Sequence, residues 1–204
     1  MTVRRGRPPA YTKELALAAL TETFRLNGYA ATSLDALVTA TRMNRPSLFA
    51  AFGNKQAMYL AALDHFKEAA YHRLQPELAA ERSLLEDMTV FYECAIELYC
   101  DGGALGCLLL STALSDAPKD EEVRERLRQL VNELESAIQL RVMQAVEREN
   151  LPDSQQFLVQ VFMAQLISLS AQARMGIPKE QLRHAIHHVL SGVLPTHNNT
   201  SIKM

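Results

Sequence analysis

The run Arg42-Met43-Asn44-Arg45-Pro46-Ser47 leads directly into Leu48-Phe49-Ala50-Ala51-Phe52 and stops at Gly53-Asn54-Lys55. These residue types suit the reading of double-stranded DNA. A guanidinium such as that of Arg45 can donate to guanine O6 and N7 together, the Ser47 hydroxyl can reach a base or a phosphate, and the Ala50 methyl can meet a thymine methyl. Asn44 is placed to cap the short helix, and Pro46 is tolerated in its first turn because that amide has no intrahelical partner. Leu48 and Phe52, four residues apart, can turn inward and leave Arg45, Ser47, Ala50 and Ala51 outward. Lys55 opens the next helix, where its ammonium and the free amides both favour a phosphate. Upstream, Arg4, Arg5 and Arg7 lie in the Gly/Pro-rich run 4–9, a composition that suits a narrow minor groove or, equally, a solubilising end. By pattern alone, residues 33–53 also fit an ordinary α-hairpin with solvated charges.

Other clusters carry less. His184, His187 and His188 share one helix face at a spacing that can hold Zn²⁺ or Cu²⁺, but no carboxylate or cysteine stands near enough in sequence to complete a site. Residues 101–106 have the glycines of a phosphate loop without the preceding strand or the following Lys-Ser/Thr, and read as a turn between helices. Ser, His and Asp are scattered without a linking motif, so an enzyme is not the expectation; no cofactor or metal is called for. An all-α enzyme or a helical adaptor with an apolar pocket remains the alternative. Aromatic and sulfur residues in apolar faces of the middle helices (Phe66, Tyr71, Phe91, Tyr92, Cys94, Tyr99, Met143 and Phe162) could line a cavity for a small, largely apolar molecule, or simply build a core.

The elements that must position these groups are helices. Apolar residues recur at spacings of three and four almost throughout, with no sustained alternation, so the chain is expected to be all-α. Short helices are expected up to Gly28, from the Ser33 cap to Ala40, and from the Asn44 cap to Gly53; a long helix follows from the Asn54 cap to about Leu74. Longer ones are expected near 82–100, 104–115, 120–149, 154–175 and 179–193. Two short helices joined around Arg42-Met43 fit a helix-turn-helix.

Charge follows the same division. Residues 1–55 carry eight Lys/Arg against three acids, a net of +5, and the remaining chain carries −7, for a total of −2. A basic module on an acidic body is expected if only the first module meets phosphate, whereas a helical adaptor would leave the split unexplained. The organisation expected is a flexible basic arm 1–9, a DNA-binding domain 10–55, a ligand-sensing and dimerisation domain 56–194 and a disordered tail 195–204. The apolar stripes of 154–175 (Phe157, Leu158, Val161, Phe162, Leu166, Leu169) and 179–193 (Leu182, Ile186, Val189, Leu190, Val193) suggest a two-fold four-helix interface or packing within the domain. Three cysteines, no secretory segment and no apolar run long enough to span a bilayer point to a reduced, cytoplasmic protein with no membrane partner.

Residues 28–63, with the core "RPSLFAAFGNK", resemble the TetR family of transcriptional repressors, specifically over about residues 10–66. The resemblance implies a homodimer with an N-terminal three-helix DNA-binding domain and a C-terminal pocket for an inducer that lowers operator affinity. It places the base-reading positions on Arg45, Pro46, Ser47 and Ala50, the phosphate lysine on Lys55 and a phosphate-touching cap on Ser33. Phe49 stands where the family commonly has tyrosine, and Arg42 where it commonly has glycine at the turn. A non-glycine residue costs about 1 kcal/mol if that position is left-handed; a phosphate contact by Arg42 would offset the strain. Cys107 lies in "GALGCLLLS", similar to the segment of thiol-sensing members. That similarity implies a sensor of electrophiles or oxidants, with Cys100 as a resolving partner; a small buried hydrophobe is the other reading.

Overall fold

The computed structural model describes residues 13–78, 82–104, 106–149, 151 and 155–194. The arm 1–9 with Arg4, Arg5 and Arg7, and the tail 195–204, lie outside the described residues. Among the described residues every regular element is helical. The chain divides into two compact units, residues 1–66 and 67–204. The division falls inside one continuous helix, later than the change in charge at residue 55.

The first unit holds α1 (Lys13–Ala31), α2 (Leu34–Thr41), α3 (Arg45–Phe52) and the first half of α4 (Lys55–Leu74). Ala16, Leu20 and Phe24, four apart on α1, are buried with Leu37, Leu48, Met58, Tyr59 and Leu63. Gly28, at φ 74° and ψ 173°, breaks the regular geometry of α1 where its stop was expected. Each later helix starts at a side-chain cap. Ser33 Oγ accepts from Ala36 N at 3.1 Å, Asn44 Oδ1 from Ser47 N at 2.9 Å and Asn54 Oδ1 from Ala57 N at 2.8 Å.

The second unit takes the rest of α4, then α5 (Leu84–Ala104), α6 (Glu121–Glu149), α7 (Gln155–Arg174) and α8 (Lys179–Val193). α7 packs on α5, α6 and α8, burying Leu158, Phe162, Leu166 and Leu169. α8 buries Leu182, Ile186 and Leu190 against the same domain. Most of the two stripes is therefore internal packing of a single chain. α7 also corrects one expectation: by length and composition it is apolar enough to cross a membrane. Its apolarity serves the core of this unit, in which 44% of its most apolar window is buried.

The expected helix at 104–115 is replaced by irregular turns. Helical geometry ends at Asp101 (ψ 139°), with Gly102 and Gly103 at positive φ. Cys107 is extended, and a π-helical turn, Leu108–Thr112, runs into a 3₁₀ turn, Ala113–Ser115. Gly106 explains the departure. It adopts φ +69°, and a Cβ there would lie 2.5 Å from the main-chain oxygen of Ser170 on α7. The chain passes too close to α7 for a regular helix with side chains to fit.

Ion pairs bind the helices of this unit. Deep in it, Arg141 on α6 donates from Nε to Asp87 on α5 at 2.6 Å, and Arg82 donates to the other Asp87 oxygen at 2.7 Å. Arg141 Nη2 also reaches the Arg82 carbonyl at 2.8 Å and Glu149 at 3.3 Å. Nearer the surface, Arg183 on α8 bridges Glu93 at 2.9 Å and Glu97 at 2.8 Å on α5.

Candidate nucleic-acid interface

The candidate reading helix is α3, and its orientation is set by one buried leucine and one left-handed arginine. Leu48 is fully buried, which turns Arg45, Pro46, Ser47, Phe49 and Ala50 outward. Phe52 is half-buried, with the Lys13 ammonium 5.7 Å from its ring centroid. Between α2 and α3 the chain reverses at Arg42, at φ 53° and ψ 22°, with its N–H donating to Thr39 O. The left-handed geometry expected of that position is present, on an exposed non-glycine residue. The Thr41 hydroxyl donates to Leu37 O at 2.7 Å, which ties the turn to α2.

Two cations of the interface are already engaged. Arg45 Nη2 donates to Asp35 Oδ1 on α2 at 2.8 Å. The Lys55 ammonium lies 4.4 Å from the centroid of Tyr29, which stacks on Tyr59 at 5.0 Å. An aromatic face holds the cation without consuming its N–H donors, so the lysine is steadied while able to donate to a phosphate oxygen. Asn44 has its carbonyl oxygen committed to the cap, which makes it an organiser of α3 rather than a free reader. Ser33 is an exposed cap at the start of α2, its hydroxyl oxygen accepting from Ala36 N.

Residues 16–62 match the family described as bacterial regulatory proteins, tetR family. The HTH-type transcriptional repressor ComR of Escherichia coli K12 is 27% identical over 150 residues, covering 72% of this chain and 71% of that one. BdcR, an HTH-type transcriptional repressor of the same organism, is 27% identical over 178 residues, 87% and 86% of the two chains. The likeness to tetR-family regulators is carried by residues 16–62 and by relatives 27% identical along most of the chain. A solved relative is the TetR family transcriptional regulator CifR, a cysteine mutant complexed with 26-base-pair double-strand operator DNA. It superposes with a TM-score of 0.81 at 27% identity, covering 93% of this chain and all of that one.

The nine expected ligand contacts fall unevenly. Phe91, Tyr92, Tyr99 and Phe162 are buried core. The Tyr92 hydroxyl donates to Phe162 O at 2.8 Å, and burial pushes its phenol well above the ordinary range. Phe66 belongs to the first unit, under the Arg25 guanidinium at 5.5 Å. Cys94 is half-buried, with its thiol pushed up chiefly by burial, and Met143 is exposed. Cys107 is 2% exposed, and its sulfur accepts from Leu110 N at 3.4 Å.

Tyr71 alone of the nine lines a groove of about 460 Å³ between α4 and α6. Gln75 and Leu78 complete one wall; Asn132, Glu133, Ser136, Ala137 and Leu140 form the other. Sequence reasoning passed over all of these except Tyr71. Their signal was present: Asn132, Ser136, Ala137 and Leu140, uncharged and at helical spacing, interrupt an otherwise heavily charged α6. Lys67 on α4 donates to Glu133 at 3.1 Å.

α7 also presents an outer face. Phe157, Ala164, Ile167 and Ala171 are exposed and Val161 half-buried, one every three or four residues, and the exposed Met175 follows just past the helix end. On α8, His184, His187 and His188 are exposed, with His184 3.3 Å from Glu180. Among the described residues no three His, Cys, Asp or Glu side chains are grouped to hold a metal ion.

Proposed function

We propose that this chain is a transcriptional repressor that binds a pseudo-palindromic operator as a homodimer and is released by a small-molecule inducer. The supporting observation is the outward face of α3, where Arg45, Ser47 and Ala50 stand exposed over the buried Leu48. Arg45 reads a base, Pro46, Ser47 and Ala50 allow close approach, and Ser33, Arg42 and Lys55 meet phosphates; the arm with Arg4, Arg5 and Arg7 follows the backbone into the minor groove. The outer face of α7, with Phe157 and Ile167 and with Met175 just beyond its end, is the surface that a second copy covers. The groove at Tyr71 takes an inducer with apolar bulk and one or two hydrogen-bonding groups, and α4 carries the response, being one helix from Lys55 to Leu74. An electrophile acting on Cys107 is the second route of release, suggested by the sulfur's place at the head of an irregular turn. The protein acts in the cytoplasm, where its DNA is.

Selection from random duplexes followed by footprinting tests this reading. The expected result is inverted half-sites with centres about 10 base pairs apart, or a multiple of that. A direct repeat, or no sequence preference at low salt, counts against it. Native mass spectrometry of the protein with and without the selected duplex reports the dimer, any copurified ligand and the stoichiometry.

A further inference from the structure

The Asp35 carboxylate is an acid on the basic face. It is 85% exposed and accepts from the Arg45 guanidinium at 2.8 Å, with Arg45 itself 55% exposed. An ion pair so open to water adds little to folding, and α2 and α3 already have the buried Leu37 and Leu48 to hold them. A carboxylate in the first turn of α2 suits the helix dipole. That accounts for an acid somewhere in the turn, but not for one within reach of an arginine ten residues later in the chain. Against DNA, a negative charge at this place repels phosphate and lowers affinity for every sequence. Its position needs a gain of another kind.

Guanidinium geometry supplies one. The group is a planar fork of five N–H donors, and Asp35 engages one edge through Nη2. Nη2 keeps a second hydrogen, and Nε and Nη1 have no partner among the described residues, so Nη2 with its neighbouring nitrogen still offers one two-donor edge to a base. Arginine normally loses much side-chain freedom on docking; a carboxylate clamp fixes its plane beforehand and turns a flexible cation into an oriented pair of donors. The same carboxylate also prevents the guanidinium from settling on a neighbouring phosphate, which would hold the protein equally on any sequence.

We propose that Asp35 is a positioning residue for specificity: it orients Arg45 towards guanine and withholds it from phosphate. The proposal rests on Arg45 reading a base, and the variants separate the two ideas. Wild type, Asp35→Ala, Asp35→Asn, Arg45→Ala and the double Asp35→Ala/Arg45→Ala are passed through random-duplex selection, and their affinities for the selected and an unrelated duplex are measured at one salt concentration. Asp35→Ala is expected to lower the ratio of selected to unrelated affinity by about 5- to 20-fold, with preference lost at the single position per half-site that Arg45→Ala also relaxes. Affinity for the unrelated duplex stays equal or rises, a direction that mere damage to α2 does not produce. Asp35→Asn, which keeps an acceptor, restores part of the preference, and the double variant loses no more of it than Arg45→Ala alone. An unchanged consensus in Asp35→Ala beside a relaxed one in Arg45→Ala overturns the positioning role and leaves base reading intact. An unchanged consensus in Arg45→Ala overturns both. Equal weakening on both duplexes in Asp35→Ala makes the residue structural and overturns the proposal.

Discussion

Asp87 on α5 and Arg141 on α6 meet at 2.6 Å with both side chains only 1% exposed. Arg82 and Glu149 close the network around them, while Arg141 Nη1 is buried with no hydrogen-bond partner among the described residues. Removing one partner strands the other charge in the core. Asp87→Ala or Arg141→Ala is expected to cost about 3–5 kcal/mol, whereas Asp87→Leu with Arg141→Met should recover most of that loss. Urea unfolding of the three variants checks this; a single-variant cost below about 1 kcal/mol would mean that water reaches the pair.

On the DNA face, Arg45→Ala should cost about 1–3 kcal/mol and relax one position per half-site. Lys55→Ala should weaken all sequences alike and flatten the salt slope by about one unit. Fluorescence anisotropy over a range of salt distinguishes the two; if Lys55→Ala changes the preferred sequence, its ammonium reaches a base.

The placing of Lys55 shows what sequence could and could not convey. Helix starts at Ser33, Asn44 and Asn54, the stop at Gly28 and the outward set around Leu48 were legible, because caps and periodicity act within a few residues. The left-handed turn at Arg42 was foreseen only by likeness to a family. The stacking of Lys55 on Tyr29 and the reach of Arg45 to Asp35 were not legible, since both depend on how one helix lies against another. The irregular chain at 104–115 was hidden for a similar reason: its cause is the nearness of Ser170, more than sixty residues on. The ligand set was hard to read for a different reason. Aromatic residues in apolar faces satisfy a core as readily as a pocket, and Phe91 and Tyr92 went to the core.

The outer stripe of α7 gives a test of assembly. Ile167 is exposed on it, so Ile167→Glu should leave the protomer folded while shifting the molecular mass in solution from two copies to one at micromolar concentration. Operator affinity should fall with it, because half-sites are then bound singly. Sedimentation equilibrium decides the matter; an unaltered dimer would put the seam elsewhere.

Thiol chemistry separates the two routes of release. Cys94 and Cys100 are half-buried and Cys107 buried, so maleimide should label Cys107 last in the free protein. Because burial raises the Cys94 thiol, its thiolate fraction at neutral pH lies below that of an ordinary cysteine, and its labelling should gain speed as pH rises past the usual thiol range. Release of operator by a maleimide or quinone in wild type, and its loss in Cys107→Ser, would establish the electrophile route. Equal release in both, or none in either, leaves the non-covalent inducer.

The three caps of the first unit also bear on how quickly it forms. Ser33, Asn44 and Asn54 each close their bond with an amide three residues ahead, so the boundaries of α2, α3 and α4 are specified locally. Packing of residues such as Leu37 and Leu48 holds these short helices, while their limits are set locally, and local contacts of this kind go with folding in microseconds to milliseconds. The first 66 residues leave a ribosome well before the remaining 138 at about 5–20 residues per second. The nascent chain therefore has seconds in which the first unit can fold while the second is still being made.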